Sequence, residues 1–297
     1  MCGKRGPMKK FITILACALC LTACGDDDSS FAPRPDDDTS IESSSSSVTS
    51  KSSSSETIVS SSSTKSSSSV NLSSSSAELS SSSVALATPC KTKTEDNCEY
   101  GELVDDRDGQ VYKTVKIGDQ WWMAQNLNYE TDNSFCYNDS ASYCEKIGRL
   151  YLWSAAMDSV GEWSANGKDC GADKTCSPFY PVRGVCPEDW HLPTQTEWRA
   201  LFMAVGGETT AGKVLQSTSG WNRNGNGTDA FSFSALPAGN RSDYGSFIKE
   251  GGSGAEFWSS TEYNSYGAYD IHMNYNDGIA YGGNSKGYGY SVRCLKD

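Results

Sequence analysis

The sequence predicts an α+β fold: one disulfide-stapled domain with two main helices and short antiparallel strands, preceded by a disordered serine-rich tether. Three observations lead there. A capping box opens a helix at Thr194. Short apolar runs between Gly- and Asn-rich turns fill the end of the chain. Twelve cysteines in 297 residues are too many for an ordinary cytosolic protein and point to an oxidising compartment.

The helix signal lies in Cys186-Pro-Glu-Asp-Trp-His-Leu-Pro-Thr-Gln-Thr-Glu-Trp198. Thr194 and Glu197 each satisfy a backbone N–H that the first helical turn leaves unpaired. Trp198, Leu201, Phe202 and Val205 then form one apolar stripe at i, i+3, i+4 and i+7. Gly206-Gly207 stops the helix, since glycine enters the left-handed cap without a side-chain penalty. A second helix is expected over 150–160, where Trp153, Ala156, Met157 and Val160 repeat the spacing and Gly161 ends it. Ala211 to Gln216 reads as one further helical turn.

At the N-terminus, Lys9-Lys10 and the apolar run Phe11 to Leu21 have the n-region and short h-region of a signal peptide. The run is too short to span a bilayer. Met8, directly before the lysines, makes a better start than Met1. Leu21-Thr-Ala-Cys24 resembles a bacterial lipobox. That implies a signal peptide over 1–23, acylation of Cys24 at the head of a lipidated 24–28 segment, and an outer-membrane lipoprotein on the cell surface or periplasmic face. Gly25 stands where an inner-membrane retention Asp would. Asp26-Asp-Asp28 reads equally as a surface-export signal and as solvated linker charge.

Residues 29–87 are dominated by serine. They cannot bury enough apolar area to offset their ordering entropy. They form a tether with a root-mean-square span of roughly 40 Å. Its serines are candidates for O-glycosylation.

The domain proper is expected over 88–297. Asp105-Asp-Arg-Asp-Gly109 reads as a turn rather than a calcium loop. Val111–Ile117, Gly118-Asp119 and Gln120-Trp-Trp-Met-Ala124 read as a hairpin with a tight glycine turn. Trp121, Trp122 and Met123 are assigned to the core. Phe231-Ser-Phe-Ser-Ala-Leu236 alternates like a strand. Phe257-Trp258, Tyr269–Met273 and Gly289–Arg293 follow as short strands, with turns at Asn276-Asp-Gly278 and Gly282-Gly-Asn284.

Three of these motifs carry a resemblance. Cys186-Pro-x-x-Trp-His-Leu-Pro-Thr-x-x-Glu-Trp198, Trp258-Ser-Ser-Thr-Glu and Tyr288-Gly-Tyr-Ser-Val-Arg-Cys294 resemble the Fibrobacter succinogenes major paralogous domain. Leu192-Pro-Thr-x-x-Glu-Trp198 is similar to the signature of the formylglycine-generating-enzyme branch of C-type-lectin-like folds. The resemblance covers most of the chain beyond the tether. It implies a C-type-lectin-like fold and a Cys186–Cys294 bridge, and little about activity.

With Cys24 acylated, Cys90, Cys98, Cys136, Cys144, Cys170, Cys176, Cys186 and Cys294 remain, an even set. Proximity favours Cys90–Cys98, Cys136–Cys144 and Cys170–Cys176, although sequence alone does not choose among the pairings. Closure of the long Cys186–Cys294 loop would contribute on the order of 4–5 kcal/mol in the chain-entropy model. Zinc has little to draw on, with no Cys-x-x-Cys and only His191 and His272. His191, between Trp190 and Leu192-Pro193, reads as structural. The enzymatic alternative, a cysteine-dependent oxidase of formylglycine-generating type, needs a cysteine pair near the C-terminus. Cys294 stands alone there in the last hundred residues.

Asn222-x-Asn224-x-Asn226-Gly227 has half the spacing of an EF-hand, but Phe233 occupies its twelfth position. It reads as a turn, so no cofactor is expected and calcium is the disfavoured alternative. A pI near 4.7 and a net charge of −12 argue against nucleic acid. The expected partners are the membrane, through the anchor, and a glycan or a surface protein. Trp221, Tyr263 and Tyr266 are the ligand-binding aromatics, with Asn224, Asn226 and Asp229 as polar partners. Rigid rings among small polar residues are the composition of binding loops.

Overall fold

The computed structural model describes residues 85–248, 252–276 and 278–297. The expected signal peptide, Cys24 and the tether as far as residue 84 lie outside the described residues. The first half runs β1 (Tyr100–Asp105), β2 (Gln110–Ile117), β3 (Gln120–Met123), β4 (Ser134–Phe135), α1 (Ala141–Ile147), β5 (Leu150–Leu152) and α2 (Trp153–Ala156). Next come β6 (Trp190–His191), α3 (Gln195–Ala204), α4 (Glu208–Leu215), β7 (Asn240–Arg241) and β8 (Phe247–Ile248). The chain closes with β9 (Gly254–Glu262), β10 (Gly267–Asn274), β11 (Ile279–Ser285), β12 (Gly289–Tyr290) and β13 (Leu295–Lys296). The strands form three antiparallel sheets, ordered β1-β2-β3-β13-β6, β4-β5-β12-β7-β8 and β11-β10-β9. Helix and antiparallel strand therefore coexist in one unit, as an α+β class requires.

The capping box is present: Glu197 N–H donates to Thr194 Oγ1 at 3.2 Å, and Thr194 N–H to Glu197 Oε2 at 2.7 Å. Trp198, Leu201, Phe202 and Val205 behind it are all buried. The Trp198 ring lies 4.9 Å from Trp122 of β3 and 5.4 Å from Phe257 of β9, which makes α3 the joint between two sheets. A second apolar cluster gathers Tyr151, Trp153, Trp258 and Val292 around the Cys186–Cys294 bridge. The other bridges are Cys90–Cys98, Cys136–Cys144 and Cys170–Cys176.

Arg293 lies fully buried between the clusters. Its Nε donates to Asn126 Oδ1 at 2.6 Å, Nη1 to the carbonyls of Met123 and Phe233 at 2.9 and 2.6 Å, and Nη2 to Ser234 O at 2.9 Å. Burial pulls its pKa down to about 9, against the opposing field of Asp229. His191 makes a comparable link at the edge. Nδ1 meets Asp297 at 2.5 Å and Nε2 meets Glu197 at 3.2 Å, which fastens β6 to the first turn of α3.

Several elements depart from the sequence-based expectation. The helix over 150–160 contracts to α2, because 150–152 is taken into β5 against β12. Asp158 then turns the chain at φ 55°, its carboxylate accepting the amides of Glu162, Trp163 and Ser164. That side chain offers the backbone an alternative to helix, and Val160 is left exposed. Phe231–Leu236 is not a strand: Ser232 and Ser234 are left-handed at φ 53° and 52°, and Asp229 holds both the amide and the hydroxyl of Ser234. Gly282-Gly283 lies inside β11 rather than in a turn. A Cβ at Gly282 would come within 2.3 Å of Asp270 Oδ1 and one at Gly283 within 2.8 Å of the Tyr263 ring, so the glycines mark close packing. Of Gly289–Arg293, only Gly289–Tyr290 is strand. The turn expected at 211–216 is the full helix α4, and α1 carried no recognised signal.

Two predictions follow from these buried links. Arg293→Met strands several buried acceptors and should lower unfolding stability by about 3–5 kcal/mol in a denaturant titration. A loss below about 1 kcal/mol would show that the acceptors find other partners. At His191, burial disfavours the charged ring, but hydrogen bonds to Glu197 and Asp297 outweigh it and raise the pKa above 6.5. At Glu197, burial is likewise outweighed, by bonds from His191 and Thr194, and the carboxyl falls below 4.5. The imidazole contribution is full below 6.5 and fades as pH rises through the raised value. The carboxylate contribution is full above 4.5 and fades as pH falls through the lowered value. His191→Gln should therefore cost most stability between pH 4.5 and 6.5. A cost that does not vary with pH would contradict the link.

Candidate functional site

The six residues expected to bind ligand do not form one site. Trp221 is only 6% exposed and belongs to the core around Trp198. Its Nε1 donates to Ser217 Oγ and Ala235 O, at 3.1 and 3.3 Å, so its ring is no stacking platform. Asp229 is buried as well, committed to Ser234 and to Lys91 at 3.3 Å. Asn224 and Asn226 are exposed, but Asn226 Oδ1 caps the Trp221 amide. Their loop leans on Tyr275, beyond the C-terminal end of β10; a Cβ at Gly225 would sit 2.0 Å from Tyr275 O.

Tyr263 and Tyr266 occupy the opposite end of β10, in the turn that joins it to β9. The strand puts roughly 23 Å between the two groups. These two rings are 55% and 68% exposed. Asn264 Oδ1 accepts the amides of Tyr266 and Gly267 at 2.9 and 2.8 Å, an Asx turn that fixes the loop. Tyr263 lies edge-on to Tyr269, 5.2 Å away, and over Gly283, so one ring face is braced while much of the ring meets solvent. A neighbouring loop adds exposed rings: Phe179 and Tyr180 follow the Cys170–Cys176 bridge, and Tyr180 Oη donates to Ser260 O at 3.3 Å. Nothing in the sequence marks Phe179 and Tyr180 as neighbours of Tyr263, because the link runs from a loop to the main chain of β9 eighty residues later.

A cleft of about 350 Å³ opens elsewhere, lined by Tyr129, Glu130, Asp132, Asp158, Glu162 and Trp163 among others. Tyr129 and Trp163 meet edge-on at 5.5 Å. The Arg107 guanidinium backs both rings, 3.9 and 4.9 Å from their centroids. Arg107 is fixed in turn by two 2.7 Å bonds to buried Asp105, the structural use of a turn whose carboxylates resembled a calcium loop. Asp158 is consumed by three backbone amides, and no His or Cys lines the cleft. It can offer aromatic edges and carboxylates, without a nucleophile–base pair.

Chemistry elsewhere is equally spare. His272 Nε2 lies 3.1 Å from buried Glu256. Among the described residues, no group of three or more His, Cys, Asp or Glu is placed to hold a metal ion. All eight cysteines from Cys90 to Cys294 are in bridges.

A family model described as the Fibrobacter succinogenes major domain matches residues 115–296. Comparison with the curated proteins and with the solved structures returns no match. The matched region begins within β2, which leaves β1, Arg107 and the Cys90–Cys98 loop outside it.

Burial separates the aromatic residues sharply by expected effect. Trp221→Ala should cost about 3–5 kcal/mol of stability, as deletion of a large core ring does. Tyr263→Ala and Tyr266→Ala should each cost about 1 kcal/mol or less. Equal losses at all three positions in denaturant melts would contradict this placement.

Proposed function

The chain belongs to the Fibrobacter succinogenes major domain family, and on that footing we propose a non-catalytic cell-envelope lipoprotein that displays this domain to bind neutral glycans. The observation that carries the reading is the pair of braced, exposed rings at Tyr263 and Tyr266. Tyrosine offers a large rigid face at low cost in conformational entropy, and such a face can stack on the C–H side of a pyranose. The net charge of −12 favours neutral over anionic polymers.

The remaining parts of the proposal come from the sequence. Cys24 is the acylated anchor, 24–28 the lipidated N-terminus, and the serine-rich segment the tether that lets the domain reach beyond an outer-membrane surface. The fold is of C-type-lectin-like type, a reading supported by the Leu192–Trp198 motif and by the Cys186–Cys294 closure. The oxidase alternative requires a reactive thiol, and the bridging of all eight domain cysteines weighs against it.

The test is a pull-down of the full chain on insoluble glucan, mannan and xylan, with and without Ca²⁺. The wild type should be retained on at least one. Tyr263→Ala/Tyr266→Ala should weaken that retention by about ten- to a thousandfold, taking ring-on-base stacking as the scale for two rings. Palmitate should label the wild type and not Cys24→Ala. Failure to bind any of the three, or undiminished binding by the double variant, would remove the glycan site and leave a surface protein as the partner.

A further inference from the structure

Lys286 is fully buried, a rare position for an ammonium unless it is paired. It reaches three acceptors: Glu262 Oε1 at 2.5 Å, Lys174 O at 2.9 Å and Ser265 O at 3.1 Å. It also lies 4.6 Å from the centroid of the Trp153 ring. Glu262, in turn, accepts the Cys176 amide on both carboxylate oxygens, at 2.9 and 3.0 Å. One interior ion pair therefore ties together the Cys170–Cys176 loop, the β9–β10 turn and the segment between β11 and β12.

Exposed rings sit on or beside each of these pieces. Phe179 and Tyr180 follow the disulfide loop, and Tyr263 and Tyr266 flank Ser265. Tyr244, 93% exposed, stands on the β7–β8 turn, where Asp243 would meet a Cβ on Gly287 at 3.1 Å. The register Gly267↔Ser285 places residues 285–287 at the same end of β10 as the Tyr263 turn. Five exposed aromatics thus gather at one end of the β9–β11 sheet: four on or beside the segments tied by the buried ion pair, and Tyr244 on a turn packed beside Gly287. Loops left free would lose conformational entropy on binding, and fastening them beforehand removes that cost. Five rings on three chain segments also exceed what one sugar unit can cover. Lys286 and Glu262 cancel each other in the interior, so the pair presents no net charge to a ligand.

We infer that this end of the domain takes an extended, neutral polysaccharide chain across several rings at once, with Lys286 as the positioning residue. The inference rests on the glycan reading above and adds to it the polymeric ligand and the organiser of the site. Phe179 and Tyr244 supply outer contacts that only a longer chain reaches.

The experiment titrates the full chain with disaccharides and hexasaccharides of β-1,4-linked glucose, mannose and xylose. For the sugar that binds, the hexasaccharide should bind tighter than the disaccharide by about tenfold or more, one added stacked ring being enough. Lys286→Met/Glu262→Gln removes both charges together, so no carboxylate is left buried alone. It should abolish the length advantage, weakening the hexasaccharide by about tenfold more than the disaccharide, a split that general destabilisation would not produce. Should that variant fail to fold, Phe179→Ala/Tyr244→Ala changes only exposed rings and should show the same selective loss. Equal affinity for the two lengths, or a length advantage intact in the variants, overturns this inference while the glycan reading stands. Binding of neither length in any series overturns both.

Discussion

The guanidinium of Arg293 is the constraint on which the rest of the domain depends. It lies between the two apolar clusters and donates to four acceptors from two separate stretches of chain, 123–126 and 233–234. Burying a charge without such partners costs several kcal/mol. The fold must therefore deliver the carbonyls of Phe233 and Ser234 to it, and the left-handed turns at Ser232 and Ser234 belong to that delivery. Cys294, the next residue, closes the bridge to Cys186 across 108 positions. Charge satisfaction and covalent closure thus fix the same point, and β13 is held between β3 and β6 as a consequence.

The same device recurs at the periphery. Arg107 with Asp105 braces Tyr129 and Trp163, and Lys286 with Glu262 fastens the loops around Tyr263 and Tyr266. In each case a cation with little or no exposure organises loops that short strands cannot hold by ladder hydrogen bonds. Several strands are only two residues long. A domain with so little regular structure must stabilise its loops by side-chain networks and bridges. The return is a set of rigid surface rings, the kind of surface from which binding loops are made.

What was legible in the sequence was local. The Thr194–Glu197 capping box and the stripe behind it are written in spacing alone, and the β2–β3 hairpin in alternation and a glycine turn. The 150–160 stretch misled because its helical spacing is genuine, yet β12, more than a hundred residues later, claims Leu150–Leu152 as a strand. Phe231–Leu236 misled in the same way: alternation reports which side chains are buried, and left-handed serines bury Phe231 and Phe233 as well as a strand does.

At the candidate site, Tyr263 and Tyr266 could be picked out from a polar, glycine-rich context, whereas Trp221, in a similar context, is core. The difference lies in partners that sequence does not show, Ser217 Oγ and Ala235 O. The gathering of Phe179, Tyr180 and Tyr244 beside them depends on Lys286 and on strand register, neither of which has a local signature. Long-range pairing decided the site, and local pattern supplied only some of its members.

The central claim is that the ligand meets the domain at the loop end organised by Lys286. The most direct measurement is a backbone amide NMR titration of the full chain with a bound neutral oligosaccharide. The account predicts perturbations concentrated at 176–180, 243–245, 263–266 and 285–288, with the amides of Tyr129 and Trp163 unmoved. Perturbations centred on the Tyr129–Trp163 cleft, or spread over the Asn224–Tyr275 end, would contradict it.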